Sequence, residues 1–237
     1  VILSYYIKKR ELFAIKKFGE SDSEYIKLIN RETENYKKID FPLLPKFFGK
    51  IKGKNSLVIQ FINGRTLLDL DEIKLKDEDK ILIILEMILI IKYFHENHFV
   101  YRDLKPNNVI IDENKSIFVI DFDRMINIEN IQNEEDHTLD FSTDFVAPEV
   151  NSGHISYKND IYSLGKMIRH ITKDTTEKEI SNFLYIIIEI CINICVEKRP
   201  FISEINKTFL KLIFLSGYKN EYITRDINKS IHYYSLA

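Results

Sequence analysis

The segment YRDLKPNN, residues 101–108, decides how the rest of this sequence is interpreted. It places the carboxylate of Asp103 five residues before the amide of Asn108, with the cation Lys105 between them. A carboxylate can orient an attacking hydroxyl, and an amide oxygen can hold a metal ion. Phosphoryl transfer is one reaction that uses both of these groups.

Composition limits the classes of protein to which the chain can belong. Its 237 residues are enough for a substantial core, and 45% hydrophobic with 30% charged residues is ordinary for a globular protein. The net charge of −2 leaves no basic surplus to neutralise nucleic-acid phosphates. We therefore expect no nucleic-acid partner.

Cysteine and histidine usage argues against a disulfide framework or a zinc-type site. Cys191 and Cys195 stand four residues apart in an apolar helical run, and the six histidines show no ligand spacing. Chains without disulfides are typical of reducing compartments. The sequence therefore predicts a cytoplasmic location.

The two longest apolar runs are too short to cross a membrane. Residues 81–91 are interrupted by Glu86 and residues 183–196 by Glu189. Both runs fall below the roughly 20 residues that a spanning helix needs. We predict that they form two buried helices and that the chain has no membrane span.

Strand patterns come first along the chain. Strand formers cluster at residues 12–18, 46–52 and 56–62, and the last two clusters are separated by a Gly-Lys-Asn turn. Between the first two, a capping-box pattern at residues 21–24 predicts the start of a helix.

Helical patterns dominate from residue 64 onward, beginning with a continuous one over residues 79–97. Strands followed by helices favour an α+β arrangement of two lobes. We place these lobes at residues 1–62 and 63–215.

An ordered series of motifs resembles those of the protein kinases of the Ser/Thr type. The family patterns are V-A-I-K, H-R-D-x-x-x-x-N, D-F-G, A-P-E, D-x-W-S-x-G and a late Arg-Pro. This sequence has, in the same order, FAIK at 13–16, YRDLKPNN at 101–108, VIDFD at 119–123, APE at 147–149, DIYSLG at 160–165 and EKRP at 197–200. The resemblance implies a bilobal kinase-like fold with a small β-rich N-lobe and a large helical C-lobe.

The same resemblance implies a protein kinase that uses ATP and Mg²⁺ and acts on a protein substrate. By it, Asp103 would orient the acceptor hydroxyl and Lys105 would steady the transferred phosphoryl group. Lys105 is also the family's mark of a Ser/Thr acceptor. Asn108 and Asp121, thirteen residues apart, would hold magnesium.

Lys16 would hold the phosphates of ATP and pair with a glutamate of the following helix. Leu28, Glu32 and Tyr36 recur at i, i+4 and i+8 and therefore share one helical face. Glu34 lies off that face. We favour Glu32 as the partner of Lys16, with Glu34 as the alternative.

The resemblance also assigns the adenine site. Residues 59–62 would be the gatekeeper and the hinge strand, with Gln60 and Ile62 beside the base. Ala14 would cover adenine from above and Ile110 from below. A column of aromatic side chains would join the two lobes, formed by Tyr36, Phe47, Tyr101 and Phe122.

Two structural contacts are implied in the C-lobe. Glu149 and Arg199 would form a buried ion pair, and Asp160 would anchor the backbone of the catalytic loop. The elements that carry these residues build a platform for protein substrates, which disfavours a small-molecule kinase.

The sequence departs from the family pattern in two places. No G-x-G-x-x-G precedes Lys16, and Val1 lies only fifteen residues before it, so we expect a fragment that begins after the glycine-rich loop. Asp123 stands where the D-F-G motif has glycine, which would restrict flipping of the segment and alter metal affinity. Both departures favour the alternative function, a pseudokinase scaffold that acts through protein–protein contacts.

Residues 216–237 resemble the opening helix of a Sel-like repeat, a relative of the tetratricopeptide repeat. A terminal amphipathic helix is the alternative interpretation. If the repeat is present, protein partners would bind through a downstream array.

Overall fold

The structure is a computed structural model that describes residues 1–6, 10–18, 23–129, 144–176 and 178–215. The Sel-like repeat predicted for residues 216–237 lies outside the described residues.

A four-stranded antiparallel sheet forms the core of the small lobe. Its strands are β1 (Ile2–Tyr6), β2 (Glu11–Lys17), β3 (Phe47–Lys50) and β4 (Ser56–Gln60), in the spatial order β1-β2-β4-β3. Helix α1 (Ser23–Lys38) packs against β3 and β4. The sheet and helix bring the Lys16 side chain of β2 within 2.8 Å of the Glu32 carboxylate of α1.

Strand β1 was not predicted from the sequence. Four of its five residues are exposed, so the strand lacks the alternation of buried and exposed side chains that marks a half-buried strand. Backbone pairing with β2, from Ile2 opposite Ile15 to Tyr6 opposite Glu11, holds it in place. Its position therefore depends on a neighbouring strand rather than on its own pattern.

Helix α2 (Asp77–Glu96) forms the centre of the large lobe. Almost every side chain from Asp79 to Phe94 is buried, and the helix packs against α3 (Tyr157–Ile171) and α5 (Ile202–Leu215). Three acidic residues in its first turn complement the positive end of the helix dipole. The predicted helix over residues 79–97 is thus confirmed, although it begins two residues earlier than predicted.

Short strands line the boundary between the lobes. β5 (Gly64–Thr66), β7 (Val109–Asp112) and β8 (Ile117–Val119) form one small sheet, while β6 (Phe99–Val100) pairs with β9 (Ile126–Asn127). The sequence does not reveal β9, because a two-residue strand has no periodicity to detect. These strands fix both ends of the loop at residues 101–108.

Helix α4 (Lys178–Cys191) corrects the prediction of a fully buried helix over residues 183–196. The helix ends five residues earlier than predicted, and Tyr185 and Ile186 are 61% and 59% exposed. The reason is that α4 packs mainly against α3, so within the described chain only one face of α4 is covered.

The predicted two-lobed α+β fold is confirmed, with the sheet in the small lobe and the long helices mainly in the large one. The division at residue 63 stays a prediction. Within the described part of the chain, no helix is long and apolar enough to cross a membrane.

Candidate active site

Asp160 fixes the backbone of the loop that carries the candidate catalytic residues. This residue lies in the first turn of α3 and is fully buried. Its carboxylate accepts hydrogen bonds from the backbone N–H groups of Tyr101 and Arg102, both at 2.8 Å, and lies 3.0 Å from Nε2 of His95. Arg102 adopts a positive φ of 69°, a strained conformation that these bonds help to hold.

Asp103 follows directly and is held by its neighbours in the same loop. Its carboxylate lies 2.8 Å from Nζ of Lys105 and accepts a 2.7 Å hydrogen bond from Nδ2 of Asn108. Asn108 Nδ2 also donates to the backbone carbonyl of Asp103, and the Arg124 guanidinium lies 3.8 Å from the carboxylate. An oriented carboxylate of this kind can accept a proton from a hydroxyl.

Lys16 of β2 reaches three carboxylates from two different elements. Its Nζ atom lies 2.8 Å from Glu32 of α1, 2.6 Å from Asp121 and 3.8 Å from Asp123. Glu34 is exposed and pairs with Lys37 instead. The helical periodicity of α1 therefore identified which glutamate faces Lys16.

One ammonium faces three carboxylates in this cluster, and the pKa values of Lys16, Glu32 and Asp123 are raised. Burial lowers the pKa of Lys16, but the carboxylates of Glu32, Asp121 and Asp123 outweigh it and raise the pKa above its ordinary value. Burial, with the nearby Asp121 carboxylate, raises the pKa of Asp123 to about 6, although Lys16 opposes the shift. Burial likewise raises the pKa of Glu32 against the opposing ion pair with Lys16.

Phe122 connects the acidic segment to both lobes. Its fully buried ring lies 4.8 Å from Tyr36 and 6.1 Å from Tyr101, centroid to centroid, and Tyr36 stacks on Phe47 at 5.3 Å. The predicted aromatic column is therefore present. Its contacts hold the neighbouring Asp121 at the boundary between the lobes.

The residues expected at the adenine lie along the same boundary. Ala14 is buried on β2 opposite Ile59, while Ile110 is half-buried on β7. Gln60 ends β4 with its backbone N–H bonded to the carbonyl of Lys46, and Ile62 follows in the connection to β5. They therefore lie on the elements that meet at the cleft.

The donor set suits magnesium. Asn108 and Asp121 belong to adjacent segments, because the N–H of Ile120 donates to the carbonyl of Asn108 at 3.0 Å. Oxygens of Glu32, Asp121 and Asp123 also lie within 4.8 Å of one another. Carboxylate and amide oxygens are the ligands that Mg²⁺ prefers, so the residues present fit this ion.

Glu149 and Arg199 form the expected ion pair in the large lobe. Two parallel hydrogen bonds of 2.6 and 2.9 Å join the guanidinium to the carboxylate, and the Arg199 side chain is fully buried. Asn159 Nδ2 donates a further bond to Glu149. The pair is bidentate, which is the strongest arrangement for these two groups.

Sequence reasoning missed Asn35 and His95, which contact the site through other residues. Asn35 bonds the backbone of the acidic segment and His95 bonds Asp160. Asn35 lies three residues after Glu32 on the same helical face, a signal that could have identified it. His95 gave no such signal because its partner is 65 residues away.

Comparisons with known proteins agree with this geometry. Similar proteins include dual specificity protein kinase zak2 of Dictyostelium discoideum, 25% identical over 84% of this chain and 35% of that protein. Serine/threonine-protein kinase PrkC of Bacillus subtilis is 26% identical over 61% of this chain and 23% of its own length. Serine/threonine-protein kinase OXI1 of Arabidopsis thaliana is 33% identical over 54% of this chain and 31% of its own length.

The matches therefore span about a quarter to a third of each of these relatives. The family description "Protein kinase domain" matches residues 1–214, which include every site residue described above. On that match, and with the ordered motifs in their expected places, the chain belongs to the protein kinase family.

Proposed function

We propose that this chain transfers the γ-phosphate of ATP to Ser or Thr of a protein substrate, with Mg²⁺ as cofactor. The observation that carries the proposal is the network in which Lys105 and Asn108 hold Asp103. Each of the three residue types has a part in phosphoryl transfer, and the loop orients all of them before any substrate binds.

Asp103 accepts the proton of the substrate hydroxyl as the new O–P bond forms. Lys105, already within ion-pair distance of Asp103, steadies the charge on the transferred phosphoryl group. Asn108 and Asp121 hold the metal, which neutralises negative charge on the phosphate oxygens when bound.

Lys16, paired with Glu32, positions the α- and β-phosphates. Three nearby carboxylates outweigh the effect of burial and keep the ammonium charged, so it presents a cation to the nucleotide. Backbone groups of Gln60 and Ile62 bind adenine, while Ala14 and Ile110 enclose it from the two lobes.

Specificity for Ser or Thr rests on Lys105 and on the names of two of the relatives. The Dictyostelium relative is named as a dual specificity kinase, so tyrosine belongs among the acceptors to be tested. The cytoplasmic location stays a prediction that depends on cysteine usage.

The test is transfer of labelled phosphate from Mg·ATP to mixed protein substrates. Asp103→Asn should lower the rate by ~10²–10⁴ because the proton acceptor is lost while the shape is kept. The matched control is Asp69→Asn, an exposed aspartate 34 residues before Asp103 in the sequence, which should transfer at the parent rate. Equal rates in the two variants would refute the assignment.

A pseudokinase scaffold is the second candidate function. The observation that favours it is Asp123, which adds a third carboxylate beside Lys16 where the nucleotide phosphates would lie. A scaffold would act through protein partners, including any bound by a repeat array after residue 215. A folded parent protein that transfers no phosphate to any substrate would favour this reading.

A further inference from the structure

Asn35 of α1 joins the helix to the segment that carries Asp121. Its side-chain nitrogen donates to the backbone carbonyls of Phe122 and Met125, both at 2.7 Å. The side chain is 5% exposed, and both acceptor residues are fully buried. These two bonds link residues 87 and 90 positions apart in the sequence.

The chemistry of the two acceptors fixes the orientation of the amide. A carbonyl oxygen can only accept, so the NH₂ group, with its two hydrogens, must face this pair. An apolar side chain of similar size would remove this donor from two buried carbonyls, and that of Phe122 would keep only a 3.3 Å bond from the N–H of Met125. Such a loss is costly. Packing alone would therefore not select asparagine at this position.

The segment at residues 121–125 needs such support. Asp121 adopts a φ of 67°, a region that non-glycine residues enter at some cost. Two further side chains of α1 contact the segment: Glu32 accepts from the N–H of Phe122 at 3.4 Å, and Tyr36 packs on the Phe122 ring. Asn35 is the contributor that binds both ends of the turn after Asp121.

Space for an alternative conformation lies beside these bonds. A cavity of about 290 Å³ is bordered by Asn35, Met125 and Ile126. Without the two bonds, the turn would have room to shift into this space. Such a shift would change the position of Asp121 relative to Lys16, whose Nζ atom lies 2.6 Å from its carboxylate.

We propose that Asn35 is a positioning residue that clamps residues 121–125 to α1 and so keeps Asp121 in place to bind metal and nucleotide. The clamp couples the Lys16–Glu32 pair to the metal ligand through one helix. Its effect on phosphoryl transfer rests on the proposed function, but its effect on the conformation of the segment does not.

Two variants and one matched control test the clamp in the full 237-residue chain. Asn35→Asp places a carboxylate against the two carbonyls, and Asn35→Ala removes both donors without adding charge. The control is Asn30→Asp, because Asn30 borders the same cavity and lies on the same helix, but is exposed and bonds Lys50 instead.

Amide hydrogen exchange is the first readout. Both Asn35 variants should speed exchange at residues 122–125 by roughly tenfold to a hundredfold, relative to amides of α2, while Asn30→Asp should not. In the parent, these amides should exchange nearly as slowly as those of α2. Fast exchange in the parent would overturn the clamp even if both variants failed to fold.

Binding of ADP with and without Mg²⁺ is the second readout. The variants should weaken Mg·ADP by about tenfold and metal-free ADP by less, because Asp121 acts chiefly through the metal. A general loss of stability would weaken both alike. Parent-like exchange and parent-like binding in Asn35→Asp and Asn35→Ala would refute the proposal.

The two proposals can fail separately. A parent that transfers no phosphate, yet shows slow exchange that the Asn35 variants release, would refute the kinase activity and support the clamp.

Discussion

Two charged groups of this protein differ in how completely the fold balances them. At the boundary between the lobes, the ammonium of Lys16 faces the carboxylates of Glu32, Asp121 and Asp123. In the large lobe, one guanidinium, that of Arg199, binds one carboxylate, that of Glu149, through two parallel hydrogen bonds.

The difference separates a structural pair from a binding site. Arg199 and Glu149 match in charge and geometry, so the folded chain alone completes them. The cluster at Lys16 carries more negative than positive charge in a partly buried place, which is unfavourable until a cation joins it. We infer that the first group stabilises the fold and the second is completed by ligands.

Glu149→Ala should give the largest change in stability. Removing the carboxylate leaves the fully buried Arg199 without its charge partner, which should cost ~3–5 kcal/mol of unfolding free energy in urea. Glu189→Ala is the matched control, since its pair with Arg169 is half-exposed and worth less than about 1 kcal/mol. Equal losses in the two variants would mean that Glu149 and Arg199 are not a structural pair.

The contribution of Glu149 should also depend on pH. Burial raises its pKa, but hydrogen bonds from Arg199 and Asn159 outweigh burial and leave the pKa below 4.5, its ordinary value. A carboxyl group whose pKa is lower in the folded than in the unfolded state stabilises the fold at pH values above its unfolded-state pKa. That stability is lost as the pH falls through the folded-state pKa.

Glu149→Gln should therefore cost ~1.5–3 kcal/mol near neutral pH, and the difference from the parent should shrink at acid pH. Urea unfolding of both proteins at several pH values measures the difference. A difference that stays constant below the ordinary glutamate pKa would contradict the ionic account of the pair.

Asp123→Asn should change stability in the opposite direction. The substitution removes one of three negative charges around Lys16, so the ligand-free protein should gain on the order of 1 kcal/mol. Thermal unfolding measures the gain, and Asp69→Asn on the exposed surface should leave it unchanged. A loss of stability would show that Asp123 is already balanced by the fold.

Periodic features of the sequence predicted much of this arrangement. The helical spacing of Leu28, Glu32 and Tyr36 identified the partner of Lys16, and the motif resemblance located Asp160 under the catalytic loop. Both depend on local pattern or on a family-wide contact, which a single sequence can reveal.

Other features depend on tertiary contacts that leave no local pattern. Strand β1 is held by pairing with its neighbour, and one face of α4 is exposed because no other element of the described chain packs on it. Asn35 bonds a segment 87 residues away. The positive φ of Arg102 and of Asp121 is a further feature that no local pattern of the sequence marks. Such features become visible only when distant segments are brought together.

Affinity for ADP with and without Mg²⁺, measured by calorimetry on the parent protein, tests the central comparison most directly. Because the cluster at Lys16 has a surplus of negative charge, Mg²⁺ should tighten ADP binding by about tenfold or more. Equal affinity in the presence of a chelator, or tighter binding without the metal, would contradict the account.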